Sequence, residues 1–187
     1  MITYRDMVAT LLQELDGALQ AVDPQALDAL RGAILAAPHI FAAGKGRSGL
    51  QMRAFAMRLM HMGLSVYVVG DVTTPAITAG DLLVIGSGSG RTASLVQYAG
   101  RAVSLGARVA LITIDPESPV ARQADYIIRI PATTPKLPDS EAGQSVLPMG
   151  SLFEQALGLL LDILIVQLMA ETGTDAGQMF SRHANLE

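Results

Sequence analysis

Short apolar runs alternate with amphipathic stretches along most of the chain. Five runs that are short, continuous and mostly apolar are predicted strands, at residues 39–43, 65–69, 81–85, 108–114 and 126–130. Apolar residues at helical spacing predict helices at residues 48–62, 92–105 and 118–124. Buried strands joined by helices are typical of a parallel sheet that is covered on both faces. The pattern therefore predicts an α/β fold, a three-layer α/β/α sandwich around a five-stranded parallel sheet.

Helical patterns also flank this alternating region. Two helices are predicted at 4–22 and 24–37, with Asp23 as the N-cap and Pro24 at the first helical position of the second. We expect one domain over residues 1–187, which divides into N-terminal helices (1–37), sheet core (38–131), loop (132–148) and C-terminal helices (149–187). The stretch 131–148 has four prolines and few apolar residues. This loop is either a lid over a site or a plain surface connection.

The most apolar stretch, residues 152–169, is the only candidate for a membrane span. Glu154, Gln155, Asp162 and Gln167 interrupt it, whereas a spanning helix needs about 20 predominantly apolar residues. We therefore expect a helix that is buried nearly all round, either in the core or against another subunit. A homo-oligomer follows from this expectation, with a tetramer favoured, and no contact with a membrane is expected.

Composition excludes several classes of function. The chain has no cysteine, which excludes disulfides, thiol catalysis and thiolate metal sites. Its formal net charge is -4 and its basic residues are scattered, so a nucleic-acid partner is not expected. No cluster of histidines and carboxylates has metal-ligand spacing, so no metal and no cofactor is predicted, and His39 and His61 are interpreted as structural. The N-terminus begins an amphipathic pattern and not an apolar signal, which favours a cytoplasmic location.

A loop of glycine and hydroxyl residues follows the third predicted strand. Its sequence from residue 86 is Gly-Ser-Gly-Ser-Gly-Arg-Thr, and a predicted helix begins directly after it. Free backbone N–H groups at a helix start, together with the helix dipole, favour an anion there. Ser87, Gly88, Ser89 and Thr92 are therefore candidate ligands of a phosphate group. The alternative is an ordinary serine and glycine surface turn.

A second loop of the same kind follows the first predicted strand. Its sequence from residue 44 is Gly-Lys-Gly-Arg-Ser-Gly, and Gly46, Arg47 and Ser48 are candidate ligands of the same small phosphorylated molecule. Leu50 stands where the dinucleotide fingerprint requires glycine, which argues against a nicotinamide or flavin site. Lys45 and Arg47 either neutralise a phosphate or are solvated surface charges.

The loop after the third predicted strand has the S-x-S-G-x-T signature, with Ser87, Ser89, Gly90 and Thr92 at its fixed positions. In this it resembles the sugar isomerase (SIS) domain family, whose members isomerise or sense sugar phosphates. The resemblance implies a five-stranded parallel, flavodoxin-like sheet between helices. Four further segments are similar to the 6-phospho-3-hexuloisomerase branch of that family: residues 44–49, 55–61, 66–70 and the Arg-His-Ala-Asn-Leu-Glu ending at 182–187. Lys45 departs from the branch, where a small residue is more common.

This branch interconverts 3-hexulose 6-phosphate and fructose 6-phosphate through a cis-enediol, in the ribulose monophosphate route of formaldehyde fixation. Such a reaction needs one base that removes a proton and returns it to the neighbouring carbon. Glu154 is our candidate for that base, because it lies at the start of an apolar helix and residues 149–154 match the family. Without the match, Glu154 could equally be a carboxylate that stabilises the helix dipole.

His183 would be interpreted as a surface residue from its polar context alone. The resemblance instead implies that it polarises the carbonyl or moves hydroxyl protons, in its own subunit or in a neighbouring one. Two alternatives stay open at this point. One is another sugar-phosphate isomerase of the family, such as an enzyme acting on arabinose 5-phosphate. The other is a non-catalytic sugar-phosphate sensor, which would need neither Glu154 nor His183.

Overall fold

The computed structural model describes residues 2–136 and 145–186. The helices in that part of the chain are α1 (Tyr4–Gln20), α2 (Pro24–Ala36), α3 (Gly46–His61), α4 (Ala93–Ser104), α5 (Ser151–Thr172) and α6 (Ala176–Phe180). The strands are β1 (Ile40–Gly44), β2 (Val66–Val68), β3 (Leu82–Gly86), β4 (Arg108–Thr113) and β5 (Tyr126–Arg129). Short 3₁₀ turns lie at Ala121–Gln123 and Pro148–Gly150. The expected loop falls in part on residues 137–144, which lie outside the described residues.

All five strands pair in parallel, in the order β2-β1-β3-β4-β5. This is the flavodoxin-like order, and it confirms the predicted α/β class. The chain leaves β1 towards β2 on one side, and β3 then pairs with the other side of β1. Ligands of open parallel sheets bind beyond the carboxyl ends of the strands at such a reversal of order. The two glycine-rich loops follow β1 and β3, so both lie at this position.

Side chains alternate between the two faces of the sheet and form two cores. Ile40 and Val84 face one core, which α1, α2, α3 and α5 cover. Phe41 and Ile85 face the other, which α4 covers together with the turn at Ala121–Gln123. A sheet that is apolar on both faces needs helices on both, so the three predicted layers are present.

One predicted helix is much shorter than expected. The pattern predicts a helix over 118–124, but only the turn Ala121–Gln123 forms. Pro119 can donate no backbone hydrogen bond, and the Val120 N–H donates to the Gly90 carbonyl at 3.2 Å. At the other end, the Asp125 N–H donates to the Val109 carbonyl at 2.8 Å and leads into β5. The backbone N–H groups of Val120 and Asp125 thus bond to the loop after β3 and to the sheet.

Helix α5 is buried along one side only. Leu157, Leu161 and Leu164 are buried, whereas Leu159, Ile163 and Val166 are exposed in one chain. All-round burial is therefore not met within a single chain. Residues 148–172 are long and apolar enough to cross a membrane by length and composition, but half of the most apolar window is buried inside this fold. A helix that packs in the core of a protein has the same composition, so this feature does not indicate a membrane protein.

Candidate active site

A cavity of about 280 Å³ lies beyond the carboxyl ends of β1 and β3. The loops after these two strands form one side of it, and the turn Pro148–Gly150 with the start of α5 forms another. Eight of the nine predicted site residues line this cavity: Gly46, Arg47, Ser48, Ser87, Gly88, Ser89, Thr92 and Glu154. The structure therefore brings together segments that are more than 100 residues apart in the sequence. His183 is not among the lining residues.

Three helices begin at the cavity, and none of the three has a side-chain cap. Their N-cap residues are Lys45 for α3, Thr92 for α4 and Gly150 for α5. By contrast, α1, α2 and α6 each begin with a side chain that accepts a backbone N–H bond. Uncapped N-termini leave N–H groups unsatisfied and add positive potential. Three of them around one cavity make it suited to an anionic ligand.

The serine hydroxyls of the loop after β3 are held by its backbone. The Gly90 N–H donates to Ser87 Oγ at 3.2 Å, and the Arg91 N–H donates to Ser89 Oγ at 3.4 Å. Each hydroxyl still has its own proton to donate, and within the described part of the chain neither hydroxyl donates a hydrogen bond. The Arg91 side chain does not line the cavity and donates to Asp115 at 2.7 Å. The serines and the backbone thus remain available for an anion.

Glycines bring both loops close to their supporting elements. Gly90 has φ +58°, and a Cβ there would lie 2.0 Å from Ser118 Oγ. A Cβ on Gly44 would lie 2.8 Å from the Gly49 Cα, so the end of β1 and the first turn of α3 are in backbone contact. No larger side chain fits at these positions without a shift of the backbone. The glycines therefore have a packing role as well as a conformational one.

Glu154 lies in the first turn of α5, and its side chain is only 15% exposed. The Arg47 Nε–H donates to Glu154 Oε2 across the cavity. A hydrogen bond between a cation and a carboxylate is stronger than one between neutral groups. Glu154 is thus largely buried, and the structure places Arg47 beside its carboxylate.

Lys45 also lines the cavity, with its ammonium group 5.5 Å from the centre of the Tyr98 ring on α4. The lining further includes residues that the sequence analysis missed: Thr134, Lys136, Met149 and Phe153. Met149 had one usable signal, since it precedes a glycine at a predicted helix start. Thr134 and Lys136 carried no motif, and only the tertiary fold brings them to the cavity.

His183 lies at the opposite end of helix α3. Its ring stacks on His61 with 5.2 Å between centroids, and Phe180 lies 6.0 Å away. Helix α3 runs from Gly46 at the cavity to His61, and its 16 residues span about 24 Å at 1.5 Å per residue. In this conformation His183 is therefore remote from the cavity of its own chain. Burial, followed by the charges of Arg58 and His183, lowers the pKa of His61.

The match to a protein family is consistent with this geometry. The model of the SIS domain matches residues 33–157, which include both glycine-rich loops and Glu154. The chain belongs to the SIS domain family. Within the described residues, no group of three or more histidine or acidic side chains could hold a metal ion.

The relatives of the SIS chain include proteins with a named activity. It is 47% identical over 182 residues to the 3-hexulose-6-phosphate isomerase of Bacillus subtilis, and the alignment covers 97% of this chain and 98% of that protein. It is 45% identical over 166 residues to the 3-hexulose-6-phosphate isomerase of Mycobacterium gastri, and that alignment covers 89% of this chain and 82% of the relative. The similarity therefore extends over nearly the whole SIS chain.

Solved structures have the same fold. A protein of Methanococcus jannaschii superposes on this chain with a TM-score of 0.85 and 34% identity. From its crystal structure, the function of a 3-hexulose-6-phosphate isomerase has been inferred for that protein. That match covers 97% of this chain and 99% of the other. A protein of Escherichia coli has a TM-score of 0.74 at 18% identity, covering 95% and 96% of the two chains. The second likeness concerns the fold alone.

Proposed function

We propose that this protein is an isomerase that interconverts 3-hexulose 6-phosphate and fructose 6-phosphate. The observation that carries the proposal is the position of Glu154, a carboxylate facing the same cavity as an uncapped, serine-rich anion site. Its relatives in Bacillus subtilis and Mycobacterium gastri have this activity in their names. Such a reaction fits the ribulose monophosphate route of formaldehyde fixation and a cytoplasmic enzyme.

The proposed binding mode places the phosphate at the start of α4. Ser87 and Ser89 donate their hydroxyl protons to phosphate oxygens, and the backbone N–H groups of the loop donate as well. Thr92 and Ser48 lie on the same cavity wall and bind neighbouring oxygens. The sugar then extends towards α5, which brings its reacting carbons to Glu154.

The proposed chemistry is one proton moved between neighbouring carbons. Glu154 removes the proton from C2 of the 3-ketose, the electrons form the C2–C3 double bond of a cis-enediol, and the proton returns to C3. A hydroxyl proton moves from O2 to O3 in the same turnover, so that the carbonyl ends at C2. Arg47 holds a positive charge beside the base, where it offsets negative charge on the enediol oxygens.

His183 is proposed to serve the cavity of a neighbouring subunit. Its separation from its own cavity along α3 supports this arrangement, because a residue about 24 Å away cannot contact a bound sugar phosphate. The exposed apolar row of α5, Leu159, Ile163 and Val166, supports a homo-oligomer, for which we favour a tetramer. In that assembly His183 moves the hydroxyl protons between O2 and O3.

Proton NMR of fructose 6-phosphate in heavy water tests the reaction. We expect loss of the C3 proton signal and the appearance of 3-hexulose 6-phosphate when the purified protein is added. Arabinose 5-phosphate is the control for a different isomerase of the family, and it should stay unchanged. A shift in melting temperature with phosphosugars but no exchange would instead indicate a sensor.

A further inference from the structure

Glu14, on helix α1, holds the segment that leads into the candidate active site. Its Oε2 accepts a hydrogen bond from Ser145 Oγ at 2.5 Å, and its Oε1 accepts one from the Val146 N–H at 2.9 Å. Ser145 Oγ in turn accepts from the Leu147 N–H at 3.0 Å. The Glu14 carboxylate thus binds two consecutive residues directly and Leu147 through the Ser145 hydroxyl, from an element more than 130 positions away in the sequence. Glu14 itself does not line the cavity.

The residues that follow this segment have an unusual backbone. Met149 has φ +61° and is the one non-glycine residue with a positive φ in the described chain. Gly150 follows with φ +82°, and a Cβ on it would lie 3.2 Å from Thr134 Oγ1. Both residues line the cavity. A residue with a Cβ rarely adopts this conformation unless its surroundings hold it there.

The two ends of this turn are held differently. On its far side, α5 is packed into the core through Phe153, Ala156 and Leu157, all of them buried. On its near side, Leu147 is partly buried against the core, and the Glu14 carboxylate accepts hydrogen bonds from Ser145 and Val146. The Met149 side chain is 80% exposed and contributes little packing of its own. Glu14 therefore supplies hydrogen bonds from a distant element that hold the near side of the turn.

We propose that Glu14 is a positioning residue for the active site, acting through the conformation of Met149 and Gly150. The inference rests on the proposed function only for the identity of the ligand. Without the carboxylate, Met149 relaxes to a negative φ and the cavity wall that it forms moves. Glu154 stays in place, because α5 is anchored by its own core residues. The loss then falls on substrate binding and not on the proton transfer.

Steady-state kinetics with fructose 6-phosphate separate this role from a merely structural one. For Glu14→Ala we expect KM to rise about tenfold with kcat within about twofold of wild type. Glu14→Gln keeps an amide oxygen that can accept one bond, so its KM should lie between the two. Asp16→Ala is the matched control, since it removes an exposed carboxylate from the same helix and should leave KM unchanged.

Relief of the strain gives a second, independent prediction. Glycine adopts a positive φ readily, so Met149→Gly should make the turn less dependent on Glu14. In the wild-type background, Glu14→Ala should raise KM about tenfold. In the Met149→Gly background, the same substitution should raise KM only about threefold or less. Such coupling between two residues that do not touch is expected only if the backbone conformation connects them.

Amide hydrogen exchange supplies a readout that needs no activity. The amides of Val146 and Leu147 should exchange at least about tenfold faster in Glu14→Ala than in wild type or Asp16→Ala. Faster exchange there together with an unchanged KM would overturn the positioning role, as would an equal loss in kcat. If wild type does not convert fructose 6-phosphate at all, the proposed function fails, while the exchange data and phosphosugar affinity still decide the role of Glu14.

Discussion

The two ends of the strands differ in how many of their polar groups are hydrogen-bonded within the chain. At the carboxyl edge, three helices begin without side-chain caps, and the hydroxyls of Ser87 and Ser89 donate no hydrogen bond within the described chain. At the amino edge, Asp81 is 1% exposed and accepts bonds from the Thr78 N–H at 2.7 Å, the Thr78 hydroxyl at 2.9 Å and His39 at 3.0 Å. Groups satisfied inside the chain stabilise the fold, whereas groups left open are available to a ligand.

Removal of the candidate base at the carboxyl edge should have the largest effect. For Glu154→Gln we expect kcat to fall by about 10³-fold, since the amide cannot accept a carbon-bound proton, while phosphosugar affinity stays within about threefold. Asp16→Asn is the control, because it neutralises an exposed carboxylate on α1 that does not line the cavity. Rates of proton exchange in heavy water together with calorimetric binding measure both quantities. Normal turnover in Glu154→Gln would remove the base from the mechanism.

Removal of the hydroxyl donors at the same edge should weaken binding and spare turnover. In Ser87→Ala/Ser89→Ala, we expect KM for fructose 6-phosphate to rise about 10- to 100-fold, because two hydrogen bonds to a charged group are lost. Ser104→Ala removes an exposed hydroxyl at the end of α4 and is the control. The assignment of the phosphate to this loop fails if the double variant keeps its affinity and loses kcat instead.

The matching change at the amino edge should affect stability alone. Asp81→Ala leaves the Thr78 N–H and His39 without their acceptor, which should lower the free energy of unfolding by about 2–4 kcal/mol. Turnover at saturating substrate should stay within about twofold of wild type at 25 °C. Urea denaturation and steady-state rates measure the two effects. A large loss of kcat in a folded variant would contradict the division between the two edges.

Acidification tests the same carboxylate without a substitution. Burial alone would raise the pKa of Asp81, but the hydrogen bonds from Thr78 and His39 outweigh it and hold the pKa below 3.8. The unfolded chain then binds the proton more readily than the folded one. The stabilisation is thus complete above pH 3.8 and is lost as the pH falls through the folded value. Below pH 4, urea midpoints should fall less steeply in Asp81→Ala than in wild type.

The smallest effect is expected where helix α3 ends, away from the cavity. His61 is buried, and its pKa lies below the usual 6.5. Just below pH 6.5 the unfolded chain therefore binds more protons than the folded chain, and the free energy of unfolding decreases as the pH falls. His61→Phe keeps a ring for stacking on His183 but does not titrate. Between pH 7.5 and 5.5, wild type should lose more stability than this variant in urea denaturation. Equal losses would mean that His61 is not the group that titrates.

Periodicity and local motifs predicted the elements that carry the fold. Every strand lies within two residues of its predicted bounds, because a buried parallel strand is a short apolar run. The helix over 118–124 was predicted wrongly, since the pattern ignores the bonds that Val120 and Asp125 make to other elements. Contacts between distant segments, such as Arg47 with Glu154 and Glu14 with Ser145, leave no local signal. Composition left the loop that begins at 131 open between a lid and a surface connection, and it did not single out Thr134 or Lys136 as cavity residues.

The backbone contact between Gly44 and Gly49 limits how the binding specificity of this cavity can evolve. Neither position can gain a side chain without separating β1 from α3, so these two positions are closed to the substitutions that usually reshape a pocket. The opposite wall is formed by side chains that are partly or largely exposed, Thr134, Lys136 and Met149. A library meant to alter which sugar phosphate is accepted should therefore vary that wall and leave the glycine pair unchanged.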